Sequence, residues 1–151
     1  MVTLLKSMSN KSNMKSNYLK FVGFGHLNIS AAHLTTMEFT SDKEISPRGD
    51  CLLACNVIFD LKTVQNFLKN VKRIKITISA DLVSDYVECL PNQQFNDLHE
   101  LVIRMSAVQT CRTFGFNATK GARMLSRELV QKLKDPKQQV VITFEEAIEK
   151  R

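Results

Sequence analysis

Alternation of apolar and polar residues runs through much of this chain and predicts a sheet. Apolar residues at every second position are typical of a strand with one buried face, and near-continuous apolar runs are typical of central strands. Eight segments show one of these two patterns: 18–29, 33–40, 51–59, 73–80, 85–90, 100–106, 111–118 and 139–144. Within 33–40, the alternation predicts that Met37 and Phe39 share one face while Thr36 and Glu38 share the other.

Two segments carry the spacing of an amphipathic helix. In the first, 61–70, apolar residues recur at helical intervals after Asp60, a residue type that caps helix N-termini. The second is predicted over 119–134 and ends before Pro136, since a proline cannot continue a helix.

The order of these elements repeats. A strand, a helix and a strand follow one another in 51–80 and again in 111–144, and each series begins with a cysteine and follows a strand containing a histidine. We therefore predict one α+β domain over 18–151, mostly β-sheet, mixed or antiparallel, with two helices. A duplicated ββαβ-like unit, covering about 18–80 and 83–147, is the corresponding internal repeat. Residues 1–17 lack acidic residues and sustained periodicity, which predicts a disordered basic arm.

Composition narrows the class of protein. No apolar run approaches the roughly 18 residues of a membrane span, so no membrane partner is expected. The four cysteines form no C-x-x-C pair and suit buried free thiols in the cytoplasm. The chain contains no Walker A, G-x-G-x-x-G, G-x-S-x-G or H-E-x-x-H motif, so no cofactor can be named. A formal charge of +6 does not by itself select nucleic acid as partner, and a homo-oligomer is compatible with these features.

The densest polar stretch, 25–51, supplies candidate acid/base groups. Histidine and carboxylate side chains are the usual proton-transfer groups of enzymes. The candidates are His26, His33, Glu38 and Asp50. Their spacing, H-x6-H-x4-E, matches no established metal-ligand motif, so no metal site is predicted. The competing interpretation is a solvated strand face with one hydrogen-bonded histidine.

Arginine with neighbouring hydroxyl groups forms a second candidate set. Guanidinium and hydroxyl donors together suit a phosphate or carboxylate group. The candidates are Arg48, Arg104, Ser106, Arg112 and Thr113. If the chain is duplicated, Arg104, Ser106 and Arg112 occupy places equivalent to the His33–Cys51 region, and a site would form where the halves meet. The first functional prediction is therefore a small-molecule enzyme or binding protein for an anionic ligand.

A basic face on helix 119–134 supports a different function. At 100° per residue, four side chains fall in one sector: Lys120, Arg123, Arg127 and Lys134. Such a stripe could lie on RNA or DNA phosphates, which makes a nucleic-acid-binding accessory protein the alternative. Basic outer faces are also common on ordinary surface helices. A scaffold or assembly subunit is a third interpretation.

Several short segments carry a family resemblance. The stretches GHLNI, AHLTTMEFT, PRGDC, RMS and CRT resemble the pattern of an archaeal family catalogued as domain of unknown function 371, and the resemblance runs from about Gly25 to Arg127. Met105 and Ala54 depart from that pattern, where the family has a basic residue and a glycine. The resemblance implies an archaeal, cytoplasmic protein and no particular activity. It also implies that the polar groups chosen above belong to a shared site.

Overall fold

A computed structural model describes residues 17–148 of this chain. The predicted disordered arm, apart from Asn17, lies outside the described residues. Eight strands are present there: β1 (Tyr18–Phe24), β2 (Thr36–Thr40), β3 (Leu52–Ala54), β4 (Ile74–Ala80), β5 (Val83–Pro91), β6 (Glu100–Arg104), β7 (Thr113–Phe116) and β8 (Gln139–Glu146). Two helices accompany them, α1 (Leu61–Asn70) and α2 (Arg127–Leu133), with a 3-10 turn at Ala122–Met124.

The strands form one mixed sheet that closes on itself. Their order is β1-β8-β4-β5-β7-β6-β2-β3, with parallel pairing in β2–β3 and β6–β7 and antiparallel pairing elsewhere. The two outer strands meet through an antiparallel bridge between Phe24 and Cys55, whose backbone N–H and C=O groups exchange two hydrogen bonds of 2.9 Å. A sheet whose first and last strands pair is a barrel, and here the bridge satisfies the backbone groups of Phe24 and Cys55.

Phenylalanine side chains from several elements fill the interior of the barrel. Phe114 of β7 packs against Phe144 of β8, with ring centroids 5.0 Å apart, and Phe144 also contacts Phe21 of β1 at 5.2 Å. Phe67 of α1 stacks on Phe114 at 6.4 Å. Helix α1 therefore packs into the same core as the strands, as its buried face requires.

This architecture confirms the predicted α+β domain with a mixed sheet and two helices. Strand 73–80 and helix 61–70 were predicted nearly to the residue, and Asp60 caps that helix by accepting a hydrogen bond from Thr63 N at 2.9 Å. Five predicted strands were too long by two or more residues: 18–29, 33–40, 51–59, 100–106 and 111–118. Segment 33–40 is a strand from Thr36 onwards, and 51–59 is a strand only at Leu52–Ala54, because the chain turns outside these short pairings.

The predicted helix 119–134 was wrong in its first half. Gly121 is extended, with φ −95° and ψ 174°, and packs so closely on the Leu34 carbonyl that a Cβ atom would overlap it. Ser126 is also non-helical, and its hydroxyl accepts a hydrogen bond from Leu129 N at 3.3 Å. Because an N-cap residue begins a helix, the helix starts at Arg127. Side chains at 120 and 123 therefore lie outside it.

Backbone hydrogen bonds recur at matched places in the two parts of the chain. Asn56 N donates to Asp42 O at 2.7 Å, and Asn117 N donates to Ser106 O at 3.0 Å. Both asparagines have positive φ, 55° and 50°. Val57 N likewise donates to Thr40 O, as does Ala118 N to Arg104 O. The strand pairings show the same correspondence: if β1, β2, β3 and β4 are exchanged with β5, β6, β7 and β8 in that order, the set of paired strands stays the same. These matches support the duplication, which stays a prediction.

Candidate functional site

Polar side chains gather on the outer face of the β2–β6 pair. Residues Met37, Phe39, Leu101 and Ile103 point into the core and are 0% exposed, so the alternate residues point outwards. The register places Thr36 opposite Arg104, Glu38 opposite Val102 and Thr40 opposite Glu100. The cluster called the polar face below consists of Thr36, Glu38, Cys51, Glu100, Arg104 and Arg112. The predicted division of 36–40 into inner and outer faces is confirmed.

Glu38 is the half-buried carboxyl at the centre of the polar face. Burial raises its pKa above the usual range, and the nearby charge of Glu100 raises it further. A hydrogen bond from the Cys51 thiol, with Sγ 3.5 Å from Glu38 Oε1, and the charge of Arg112 act in the opposite direction. Burial and the Glu38 carboxylate raise the pKa of Cys51 to about 12, so this thiol stays protonated and donates. The pKa of Glu38 thus lies above that of an ordinary glutamate.

The two arginines of the polar face are bound differently. Arg112 Nη1 lies 2.6 Å from Glu100 Oε2, an ion pair within the face. Arg104 instead donates from Nε to the hydroxyl of the buried Thr113, at 3.2 Å, and makes no ion pair with any residue in 17–148. Thr113 Oγ1 also accepts from Thr110 N at 3.0 Å, which fixes the hydroxyl below the guanidinium. Arg104 therefore presents its terminal nitrogens without a protein counter-ion.

His33 lies at the end of β2 nearest Arg104. Its Nδ1 accepts hydrogen bonds from the backbone N–H groups of Thr35 and Thr36, both at 3.1 Å. Because Nδ1 is an acceptor, the proton of the neutral ring resides on Nε2. Thr36, which donates its N–H to His33, is also the residue opposite Arg104 in the register, so His33 and Arg104 belong to the same end of the β2–β6 pair.

The remaining predicted residues have structural contacts or lie in turns. The Asp50 carbonyl accepts from Ala32 N and His33 N at 2.9 and 3.1 Å, which positions the segment before β2. Arg48 is exposed in the turn after Ser46, whose hydroxyl accepts from Arg48 N at 3.1 Å. Ser106 is exposed and its hydroxyl accepts from Val108 N at 3.4 Å. None of these hydrogen bonds places the side chain of Arg48, Asp50 or Ser106 on the polar face.

His26 lies apart from the polar face, beyond the opposite end of β2 from His33. Its Nε2 is 3.0 Å from Glu44 Oε1, and its Nδ1 accepts from Asn28 N at 3.0 Å. The partner of His26 is therefore Glu44 and not Glu38. Sequence reasoning missed this pair because 18 residues separate its members and the turn between β2 and β3 brings them together.

The basic residues of the nucleic-acid interpretation are dispersed. Lys120 pairs with Asp85 at 2.7 Å, and Arg127 donates to the carbonyl oxygens of Ala31, Ala122 and Leu125. Arg123 is exposed in the 3-10 turn, and Lys134 is the C-cap of α2. Residues 119–134 consequently form no single basic helix face.

The sequence matches the family described as Domain of unknown function (DUF371) over residues 21–147. The chain belongs to this family. The resemblance inferred from its short motifs is thereby confirmed. An uncharacterized protein of the archaeon Methanocaldococcus jannaschii, MJ0206, is 32% identical over 123 residues, covering 76% of this chain and 89% of that protein. The range 21–147 of the family match contains every residue of the polar face.

Two kinds of feature, a cluster of metal-binding side chains and a membrane-spanning helix, are absent from the described residues. Within 17–148, no group of three or more His, Cys, Asp or Glu side chains is arranged to hold a metal ion. In the same range no helix has the length and apolar character needed to cross a membrane. Cys51 and Glu100 were not singled out from the sequence, since a lone thiol and a strand-end glutamate carry no local signal of the carboxyl and guanidinium beside them.

Proposed function

We propose that the polar face binds a small ligand bearing a phosphate or carboxylate group, and that this chain is a small-molecule enzyme or binding protein of that class. The observation that carries the proposal is the half-buried Arg104, which has no counter-ion within 17–148 although Glu38 and Glu100 occupy the same strand pair. A partly desolvated cation without a protein partner favours an anionic ligand.

The neighbouring groups complement such a ligand. Arg104 offers its terminal guanidinium nitrogens, and Thr36, opposite it in the register, offers a hydroxyl. The Nε2–H of His33 is a third donor at the same end of β2, because Nδ1 is occupied by backbone amides. In this proposal His33 binds the ligand and is not the general base.

Glu38 is the proton-transfer group of the proposal. Its raised pKa, caused first by burial and then by Glu100, brings proton exchange closer to neutral pH than is usual for a carboxyl. A ligand held by Arg104 would approach Glu38 along the same face of β2. Arg112, already paired with Glu100, contributes positive potential at the ligand.

A thermal-shift screen of the full chain tests the proposal. The probes are inorganic phosphate, short dicarboxylates, sugar phosphates and nucleoside phosphates. A ligand at 100 times its Kd adds about 2.7 kcal/mol to the free energy of unfolding, roughly 5–10 °C in Tm for a chain of this size. Arg104→Gln should abolish the shift measured relative to its own unliganded Tm. Lys20→Gln, which removes one positive charge from an exposed position of β1, should preserve the shift in Tm.

Two results would contradict the proposal. One is the absence of any shift across these anions at low salt. The other is a shift of equal size in the wild-type chain and in Arg104→Gln, because the anion would then bind elsewhere.

A further inference from the structure

A cleft separate from the polar face lies where the barrel closes, beyond the end of β2 opposite to His33. It has a volume of about 530 Å³, within the range of about 300–1,000 Å³ typical of small-molecule sites. Its wall is apolar at Phe24, Leu27 and Pro136, and its rim carries Lys43 and Glu44. We propose that this cleft binds a small zwitterion, an α-amino acid with an apolar side chain, independently of the ligand of the polar face.

The Glu44 carboxylate is held in place by the largely buried imidazole of His26. His26, whose side chain is 15% exposed, is anchored by the hydrogen bond from Asn28 N to Nδ1 and by its own N–H, which donates to Leu133 O at 3.0 Å. Its proton therefore resides on Nε2 and is donated to Glu44, 3.0 Å away. Surface carboxylates usually move freely, so His26 acts as a positioning residue for Glu44.

The charges at the rim determine the class of ligand. Glu44 is 85% exposed and accepts one bond from His26, which leaves lone pairs for an ammonium group. The adjacent Lys43 is exposed and has no carboxylate partner within 17–148. Lys43 would repel a simple amine and Glu44 would repel a simple acid. A ligand with both charges satisfies both groups and leaves its side chain for Phe24, Leu27 and Pro136.

The matching cleft in the other part of the chain provides an internal comparison. It has a volume of about 600 Å³ and is lined by Pro91, Asn92, Ala107 and Phe116 among others. Asn92 occupies the place of His26: Phe95 N donates to Asn92 O as Ile29 N does to His26 O. The Asn92 side chain also accepts from Gln94 N at 3.1 Å, as His26 Nδ1 accepts from Asn28 N.

The rim charges are missing from this second cleft. The Ser106 carbonyl accepts from Asn117 N as the Asp42 carbonyl accepts from Asn56 N, so Ser106 corresponds to Asp42. The next two residues, Ala107 and Val108, therefore correspond to Lys43 and Glu44. The same backbone turn is thus built with an asparagine and without either charge. Because the same turn is built there without counterparts of His26, Lys43 and Glu44, a role of these residues in binding is favoured.

A titration followed by NMR tests the inference on the full chain. L-leucine is added to the ¹⁵N-labelled protein, beside its amine-only analogue 3-methylbutylamine and its acid-only analogue 4-methylpentanoate. Leucine should cause saturable shifts in the amide signals of Gly25–Leu27 and Lys43–Glu44. If it does not, other apolar amino acids are titrated in the same way, each with its own amine-only and acid-only analogues. Each analogue should bind about tenfold more weakly or worse, because one charged hydrogen bond is lost.

Three variants locate the binding groups. Glu44→Gln and Lys43→Gln should each weaken leucine binding about tenfold or more. His26→Asn copies the residue of the second cleft, so it should keep the fold and the remaining amide spectrum while weakening binding. Arg104→Gln should leave the leucine titration unchanged, which separates this site from the polar face.

The inference is overturned if no apolar amino acid gives saturable shifts, or if either analogue binds as tightly as its amino acid. Unchanged binding in both His26→Asn and Glu44→Gln would also overturn it. Loss of leucine binding in Arg104→Gln would assign the amino acid to the polar face instead. Failure of the anion screen has no bearing on the leucine titration, since the two tests use different probes and variants.

Discussion

Two histidines in this chain use the same nitrogen in the same way. Nδ1 of His26 and Nδ1 of His33 each accept the backbone N–H of the residue two positions later. This local bond fixes the ring and leaves Nε2–H as a donor, toward Glu44 in one case. The two proposals accordingly use both histidines for positioning or binding and Glu38 as the proton-transfer group of the polar face.

At the residue scale, the raised pKa of Glu38 predicts a pH-dependent stability. A carboxyl whose pKa is raised by folding makes the native state less stable as pH increases through the interval from its unfolded to its folded pKa. Glu38→Gln lacks this titration. The free energy of unfolding of wild type minus that of Glu38→Gln should therefore decrease as the pH rises above about 4.

Guanidinium unfolding curves at several pH values measure this difference. Glu145→Gln, at an exposed position of β8, controls for the loss of one negative charge. A difference between wild type and Glu38→Gln that is constant over the pH range would contradict the raised pKa.

Helix limits in this fold depend on caps and tertiary contacts, even where the sequence pattern is continuous. Residues 119–134 have the spacing of one helix, yet Gly121 must lie against the Leu34 backbone and Ser126 caps a separate helix. Asp85 reinforces this start, because its carboxylate accepts from Ser126 N at 2.8 Å. The contact with Leu34 comes from a distant segment, which explains why periodicity alone extended the helix.

At the element scale, the Ser126 cap predicts the cost of one substitution. Ser126→Ala removes the acceptor of Leu129 N, so it should reduce the free energy of unfolding by about 1 kcal/mol. Urea denaturation of the variant measures the change. Ser84→Ala, at an exposed strand position, is the matched control and should have a smaller effect. An equal effect at both positions would show that the hydroxyl of Ser126 does not cap α2.

At the scale of the whole molecule, the two parts of the chain are interleaved in one barrel. Strand β8 lies between β1 and β4, and β2 pairs with β6 across the polar face. Strand β4 therefore finds both of its partners, β5 and β8, in the second part. The polar face draws on both parts, since Thr36, Glu38 and Cys51 come from the first and Glu100, Arg104 and Arg112 from the second. That a site forms where the halves meet stays a prediction.

This interleaving predicts that the chain unfolds as a single unit. A fragment ending at residue 82 has β1 and β4 but not β8, so both strands lose backbone pairing and apolar cover. It should show no cooperative thermal transition by circular dichroism, whereas the full chain should show one. A cooperative transition in the fragment would indicate that the first part folds alone.

The amino-acid sequence alone determined most elements, the fold class and the family. Period-two spacing located β4 and β6, Asp60 marked the start of α1, and the two-face pattern of β2 separated Met37 from Glu38. These features depend on neighbouring residues and on burial, which a one-dimensional pattern records. The sequence also selected Arg104, Glu38 and His33 as candidates.

Only the tertiary structure decided which of these groups meet. Strand register set Thr36 against Arg104, and barrel closure placed His26 with Glu44 and away from Glu38. It also paired Arg112 with Glu100 and left Arg104 without a counter-ion in 17–148. Such contacts join residues far apart in sequence, and their energies depend on the whole packed core. No local pattern specifies them, so the division into a polar face and a separate cleft came from the fold.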